Sequence, residues 1–117
     1  IHPSACVATS ASLGHGNFID MGASAGAGAI INNHCLLHAG CIIGPEATLG
    51  NFVQVGAGSV INAGAVVEDE VFIGSGVTIV SGITIGKGAR IGAGSVVVAP
   101  VKAGETVFGN PAQSIKN

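Results

Sequence analysis

VGAGSVINAGAVVEDEVFIGSGVTIVSGITIGKGARIGAGSVV, from Val55 to Val97, carries an aliphatic residue at every sixth position: Val55, Ile61, Val67, Ile73, Ile79, Ile85, Ile91 and Val97. The frame runs back without a slip through Leu49, Ile43, Leu37, Ile31, Ala25, Ile19, Leu13, Val7 and Ile1, for 17 consecutive apolar positions. Neither the helical period of about 3.6 nor the alternation of a half-buried strand produces a pure period of six. A short repeat sustained over most of a chain means a solenoid, in which each repeat buries its apolar face against its neighbours.

The other slots of the hexad agree. Four places after the aliphatic residue the side chain is usually small, as at Ala23, Ala29, Cys35, Cys41, Ala47, Ser59 and Ala65. Glycine recurs one and three places after it, where a sharp corner needs backbone angles other residues resist. Each hexad therefore reads as a short strand and a corner, and three hexads make one triangular coil of 18 residues. The expected fold is all-β, a parallel β-helix over residues 1–98, with residues 18 apart stacked about 4.8 Å from each other. After Val98 the frame ends. Ala99-Pro100-Val101-Lys102 reads as a turn and Gly109-Asn110-Pro111-Ala112 as a second break, so residues 99–117 are expected to cap the open strand edges.

Bulk properties narrow the function classes. In 117 residues there are 20 Gly, no Trp or Tyr and only 9% charged residues, with a net charge of −2. Four Lys plus Arg leave no basic face for nucleic acid. No apolar run approaches a membrane span and nothing reads as a signal peptide. So little charge on a solenoid predicts flanks covered by other copies of the chain. The three cysteines lack metal-type spacing, and Cys35 and Cys41 fall in the small inward slot as packing thiols, which fits a reducing cytoplasm.

The 18-residue period turns spacing into contacts. His15, Asn33, Asn51, Asp69 and Lys87 form one column, read as an exposed polar ladder. Gly16, His34, Phe52, Glu70 and Gly88 form a second, which sets His34 against Phe52 at a corner. The third is His2, Asp20, His38, Gly56, Gly74 and Gly92, and beside it run Pro3, Met21, Ala39, Ala57, Ser75 and Ala93. From the fourth coil onward these two columns hold only Gly, Ala and Ser. They predict a groove free of bulky side chains that ends at His38, with Asp20 one coil beyond to orient the ring, a base-and-orienter pair. Small corner residues are also what such a fold prefers in any case.

The hexad frame resembles that of the hexapeptide-repeat acyltransferases, whose fold is a left-handed parallel β-helix and whose habit is the homotrimer. Within that family, Ile1-His2-Pro3-Ser4-Ala5, Phe72-Ile73-Gly74-Ser75-Gly76, Ile91-Gly92-Ala93-Gly94-Ser95-Val96-Val97 and Gly109-Asn110-Pro111-Ala112 are similar to the sialic-acid and bacillosamine type of sugar acetyltransferase. The resemblance implies acetyl-CoA as donor, lying along the coils between subunits against backbone at Ser75 and Ala93, with Ala57 in the same column. It implies a sugar or nucleotide-sugar acceptor, chosen partly by a nucleotide-binding domain that would precede Ile1. The catalytic motif departs from the pattern at Gly44-Pro45-Glu46-Ala47: the family's catalytic His slot is Pro45, and a second family His slot is Gln54. Glu46 alone matches an acidic family position.

Three readings follow. In the first, the chain is an acetyl-CoA-dependent acyltransferase with His38 as base, Asp20 as its orienter and Ala57, Ser75 and Ala93 along the donor groove. A variant makes Glu46 the base, a role that requires burial. In the second, the chain is a non-catalytic trimeric scaffold or binding module. In the third, it resembles the carbonic anhydrases built on this fold, with His34 and His38 near that family's metal-ligand spacing, although the offset differs by one residue and no third His is placed. No metal ligand is assigned.

Overall fold

The computed structural model describes residues 1–115, so the last two positions of the expected C-terminal cap lie outside the described residues. Three parallel sheets form the sides of an elongated prism of 41 × 22 × 19 Å. The first sheet stacks β1 (Cys6–Val7), β4 (Ser24–Ala25), β7 (Ile42–Ile43), β10 (Val60–Ile61), β13 (Thr78–Ile79) and β16 (Val96–Val97). The second stacks β2 (Ser12–Leu13), β5 (Ile30–Ile31), β8 (Thr48–Leu49), β11 (Val66–Val67) and β14 (Thr84–Ile85). The third stacks β3 (Phe18–Ile19), β6 (Leu36–Leu37), β9 (Gln54–Val55), β12 (Phe72–Ile73) and β15 (Arg90–Ile91), then β17 (Thr106–Gly109) and β18 (Ala112–Ser114). This is the left-handed β-helix of hexapeptide repeats. Each two-residue strand turns its first side chain outward and its second inward, as alternation requires.

Register follows the period. Phe72 pairs with Gln54 below and Arg90 above, and Ile73 with Val55 and Ile91. Fourteen of the 17 aliphatic positions are buried, from Ile19 to Val97. The first three are not: Ile1 is 71% exposed, and Val7 and Leu13 are partly covered. They belong to the first coil, which has a neighbour on one side only. Asn17 also departs from the small-residue pattern near this end. Its amide nitrogen donates to Asn32 O at 2.8 Å and its oxygen accepts from Cys35 N at 2.8 Å, so its polar atoms stay paired.

Corners need two things of glycine. At Gly74 a Cβ would lie 2.8 Å from Ala93 N in the next coil, too close for any side chain. Three places after each aliphatic residue from Leu13 to Ile91 the chain turns through left-handed angles, with φ near 70° at Gly58, Gly76 and Gly94. His34, Glu46, Phe52 and Glu70 occupy that slot as non-glycines, with φ between 57° and 62°. Each costs about 1–2 kcal/mol relative to an ordinary conformation.

Past β16 the pairing continues in modified form. Val101 bridges Ile85 in parallel, and Thr106-Val107 pairs with Arg90-Ile91. β18 then folds back antiparallel on β17, and Gly109 N donates to the buried Ser95 hydroxyl at 3.1 Å. Among the described residues no helix is long and apolar enough to cross a membrane.

Candidate functional site

The prism has three corners, and the one after the first sheet leaves the N–H groups of Ala27, Ala63 and Ser81 without an acceptor among the described residues. The corner after the second sheet satisfies most of its own amides. Asn33 Oδ1 accepts from His15 N at 2.7 Å, Asn51 Oδ1 from Asn33 N at 3.0 Å, and Asp69 Oδ1 from Asn51 N at 2.8 Å. This is the polar ladder the spacing predicts, made by side chains capping the amide one coil below. Lys87 joins through its backbone, which donates to Glu68 Oε1 at 3.1 Å. His34 and Phe52 stack beside it with ring centroids 5.2 Å apart.

The corner after the third sheet has no such ladder. Its slots are filled by Ala39, Ala57, Ser75 and Ala93, whose side chains do not reach an amide in the neighbouring coil. Among the described residues, no acceptor meets the backbone N–H of these four. Their carbonyls are used: Ala39, Ala57 and Ser75 accept from Gly58, Gly76 and Gly94 at 2.9–3.0 Å. Ala57, Ser75 and Ala93 are exposed, so the corner presents a row of free donors at the coil spacing. Unpaired N–H groups facing outward bind carbonyl, amide or phosphate oxygens.

At the lower end of this row lies a cleft of about 310 Å³. Asp20, His38, Gln54, Phe72, Ala57 and Ser75 line it, with Gly56 and Gly74 in its floor. The column of period 18 thus brings Asp20 and His38 into one cleft with two of the three expected groove residues. Ala93 lies one coil beyond, its backbone packed on Gly74. The groove does not run on indefinitely, because the exposed Phe108 ring lies over Gly92 and closes that end.

His38 is half-buried and held by its own backbone: its N–H donates to Val55 O at 3.0 Å and its carbonyl accepts from Cys41 N at 3.3 Å. Its ring meets Gln54, with Nε2 of the amide 3.2 Å from Nε2 of the imidazole. No hydrogen bond joins it to Asp20 among the described residues. Asp20 Oδ1 instead accepts from Met21 N at 2.7 Å. Gln54 was visible in the sequence as a family His slot, but its contact with His38 was not, since it lies 16 residues away rather than 18. Phe72 enters the cleft from the same strand position one coil later, and the Arg90 guanidinium sits 5.3 Å from its ring centroid, a cation–π contact.

Glu46 is elsewhere. It occupies the corner after the first sheet, exposed, with φ of 59°. Within one chain it does not reach the cleft, and the burial that a lone carboxylate base requires is absent there. His34 and His38 also lie on different corners, separated by the strand Leu36–Leu37. Cys35 and Cys41 are fully buried, as their slot predicts. Burial pushes the Cys35 thiol up in pKa and the Cys41 thiol up to about 11, so both remain inert thiols.

Comparison with known proteins bears on the fold and the family. The sequence profile of the family described as bacterial transferase hexapeptide (six repeats) matches residues 35–69 and 64–99. The solved structure of PerB from Caulobacter crescentus, in complex with CoA and GDP-perosamine, superposes with a TM-score of 0.98 at 31% identity, over 99% of this chain and 56% of that one. The acetyltransferase domain of PglB from Neisseria gonorrhoeae FA1090, in complex with acetyl coenzyme A, gives 0.95 at 29% identity, over 97% and 56%. The N-acyltransferase AntD from Bacillus cereus gives 0.91 at 18% identity, over 97% and 77%, a likeness of fold. The chain spans little more than half the length of the first two. No curated protein sequence matches it.

Proposed function

The chain belongs to the bacterial transferase hexapeptide family, and from that premise we propose that it is an acyltransferase that moves acetyl from acetyl-CoA to an amino or hydroxyl group of a sugar or nucleotide-sugar. The observation that carries this reading is the conjunction at one corner of a half-buried imidazole with a row of free backbone donors. A cleft of about 310 Å³ is at the small end of ligand sites and suits the reacting end of a donor, with the remainder lying along the exposed amides of Ala57, Ser75 and Ala93. PerB holding CoA with a nucleotide-sugar, and PglB holding acetyl-CoA, support the choice of donor and acceptor class.

In this mechanism His38 takes the proton from the acceptor's amine or hydroxyl as that atom attacks the thioester carbonyl. A free backbone amide of the corner holds the oxygen on which charge develops. Collapse of the tetrahedral intermediate breaks the carbon–sulfur bond, and the imidazolium returns its proton to the departing thiolate. Asp20, in the same cleft, stabilises the transient imidazolium through space. Pro45 has no basic atom, so the base moves to His38, on a different corner from the family slot. Glu46 enters only through a second copy: in a homotrimer, the arrangement we propose, the corner bearing Glu46 on one subunit faces the cleft corner of another. The three free thiols are in keeping with a cytoplasmic setting.

The test is a pair of measurements. Acetyl-CoA raises the melting temperature of the chain, and His38→Ala removes turnover while leaving that thermal shift intact. Full transferase activity in His38→Ala reduces His38 to a corner residue. Absence of both acetyl-CoA binding and any acceptor leaves the non-catalytic scaffold as the reading.

A further inference from the structure

His38 is the one titratable side chain of the cleft whose ring is paired with another side chain there, and that partner is an amide. Gln54 Nε2 and His38 Nε2 are 3.2 Å apart. Both residues are half-buried, and both backbones are fixed in the ladder: Gln54 N donates to Val71 O at 3.0 Å and His38 N to Val55 O at 3.0 Å. An amide presents a donor at one end and an acceptor at the other, and a half-turn about its terminal bond exchanges them without changing its shape. With nitrogen toward the ring, the neutral imidazole must carry its proton on Nδ1 and meets a ligand as a donor. With oxygen toward the ring, Nε2–H is donated to Gln54 Oε1 and Nδ1 keeps its lone pair. In either case the nitrogen bonded to Gln54 is withdrawn from chemistry, and Nδ1 is the atom left for a ligand in the cleft.

We propose that Gln54 is the positioning residue for His38: its Oε1 accepts the Nε2 proton, selects the Nε2–H tautomer and leaves Nδ1 as the nitrogen that takes the acceptor's proton. This deepens the reading of His38 as base and rests on it. An amide oxygen does this work in the Cys-His-Asn variant of nucleophilic catalysis, where Asn fills the place of the orienting carboxylate. Asp20 does not fill that place here, since its Oδ1 is engaged by Met21 N and no bond joins it to the ring among the described residues. When Nδ1 takes the proton, the ring becomes a cation whose Nε2–H···Oε1 bond shortens and strengthens. The proton then passes from Nδ1 to the leaving thiolate, and Gln54 ends the cycle unchanged.

The experiment reads the tautomer directly on the 15N-labelled chain by long-range proton–nitrogen correlation of the imidazole rings. His38 is identified by the signals missing from His38→Asn, and thermal melts check that each variant is folded. The parent is expected to show one neutral tautomer with the proton on Nε2. Gln54→Glu, which can accept but not donate, keeps it; Gln54→Leu gives averaged nitrogens. In turnover, Gln54→Leu lowers kcat by roughly 10- to 100-fold with the KM for acetyl-CoA little changed, and Gln54→Glu restores most of the loss. A parent ring protonated on Nδ1, or a Gln54→Leu spectrum identical to the parent's, overturns the proposal. The tautomer is read without acceptor or turnover, so failure of the His38 base reading, seen as full activity in His38→Ala, registers separately.

Discussion

At Cys41 the inward slot produces a measurable pH effect. The thiol is fully buried, and loss of hydration pushes its pKa up from the ordinary 9.0 to about 11. Below pH 9 the thiol is protonated whether the chain is folded or not, and its contribution to stability is complete. Between pH 9 and 11 the unfolded chain ionises first, so the folded state loses stability as pH rises, by about 2–3 kcal/mol in all. Urea denaturation at pH 7 and pH 10.5 on the parent and on Cys41→Ala checks this: the variant's loss over that interval should be smaller by about 2 kcal/mol. At Ser75 the prediction concerns ligand rather than stability. Its side chain is exposed beside the free amides, so Ser75→Trp should leave the melting temperature of the unliganded chain nearly unchanged while abolishing its shift with acetyl-CoA. A preserved shift would mean the donor lies on another corner.

Strands two residues long cannot hold themselves, and the elements of this fold are stable only as stacks. Ile73 in β12 touches Val55 and Ile91 in the coils on either side and is fully buried. Ile73→Val removes one methylene and should cost about 1 kcal/mol, whereas Ile73→Asp buries an unpaired charge and should abolish the cooperative melt. A parent-like melt for Ile73→Asp would show that the hexad frame does not describe the core. The ladder after the second sheet is an element in its own right. Asn51 both donates through its backbone to Asp69 and accepts from Asn33, so Asn51→Ala leaves the Asn33 amide unpaired and should cost about 1–2 kcal/mol by chemical denaturation. The stack of His34 on Phe52 contributes about 0.5–1.5 kcal/mol, which offsets part of the left-handed strain at these two positions.

For the whole molecule, outward positions decide assembly. Phe18, Ile30, Leu36 and Ile42 are 40–51% exposed, and they sit on all three sheets within neighbouring coils. A single prism with so few charges leaves this apolar surface in water. The proposed homotrimer covers the part of it that lies between copies, and brings Glu46 of one copy toward the cleft of another. Sedimentation equilibrium at micromolar concentration should give three times the chain mass of 11.3 kDa. A monomer there would remove the trimer and any role for Glu46, while leaving the His38 cleft, which one chain builds alone, untouched.

What the sequence by itself determined is the frame: which residues face inward, which stack, and where the corners fall. Those follow from a period of six because the direction of each side chain along a strand is a local property, repeated without error from Ile19 to Val97. The Asn33–Asn51–Asp69 ladder, the His34–Phe52 stack and the shared cleft of Asp20 and His38 were legible for the same reason, each being a contact one full coil apart. The tertiary structure alone decided the rest. Gln54 reaches His38 because a strand side chain leans diagonally toward the corner of the coil below, and that lean depends on packing rather than period. Phe108 closes the groove because residues after Val98 leave the repeat and are placed by the antiparallel β17–β18 pair. Ile1 is exposed although its slot is an inward one, because an inward direction buries a side chain only where another coil lies on both sides of it.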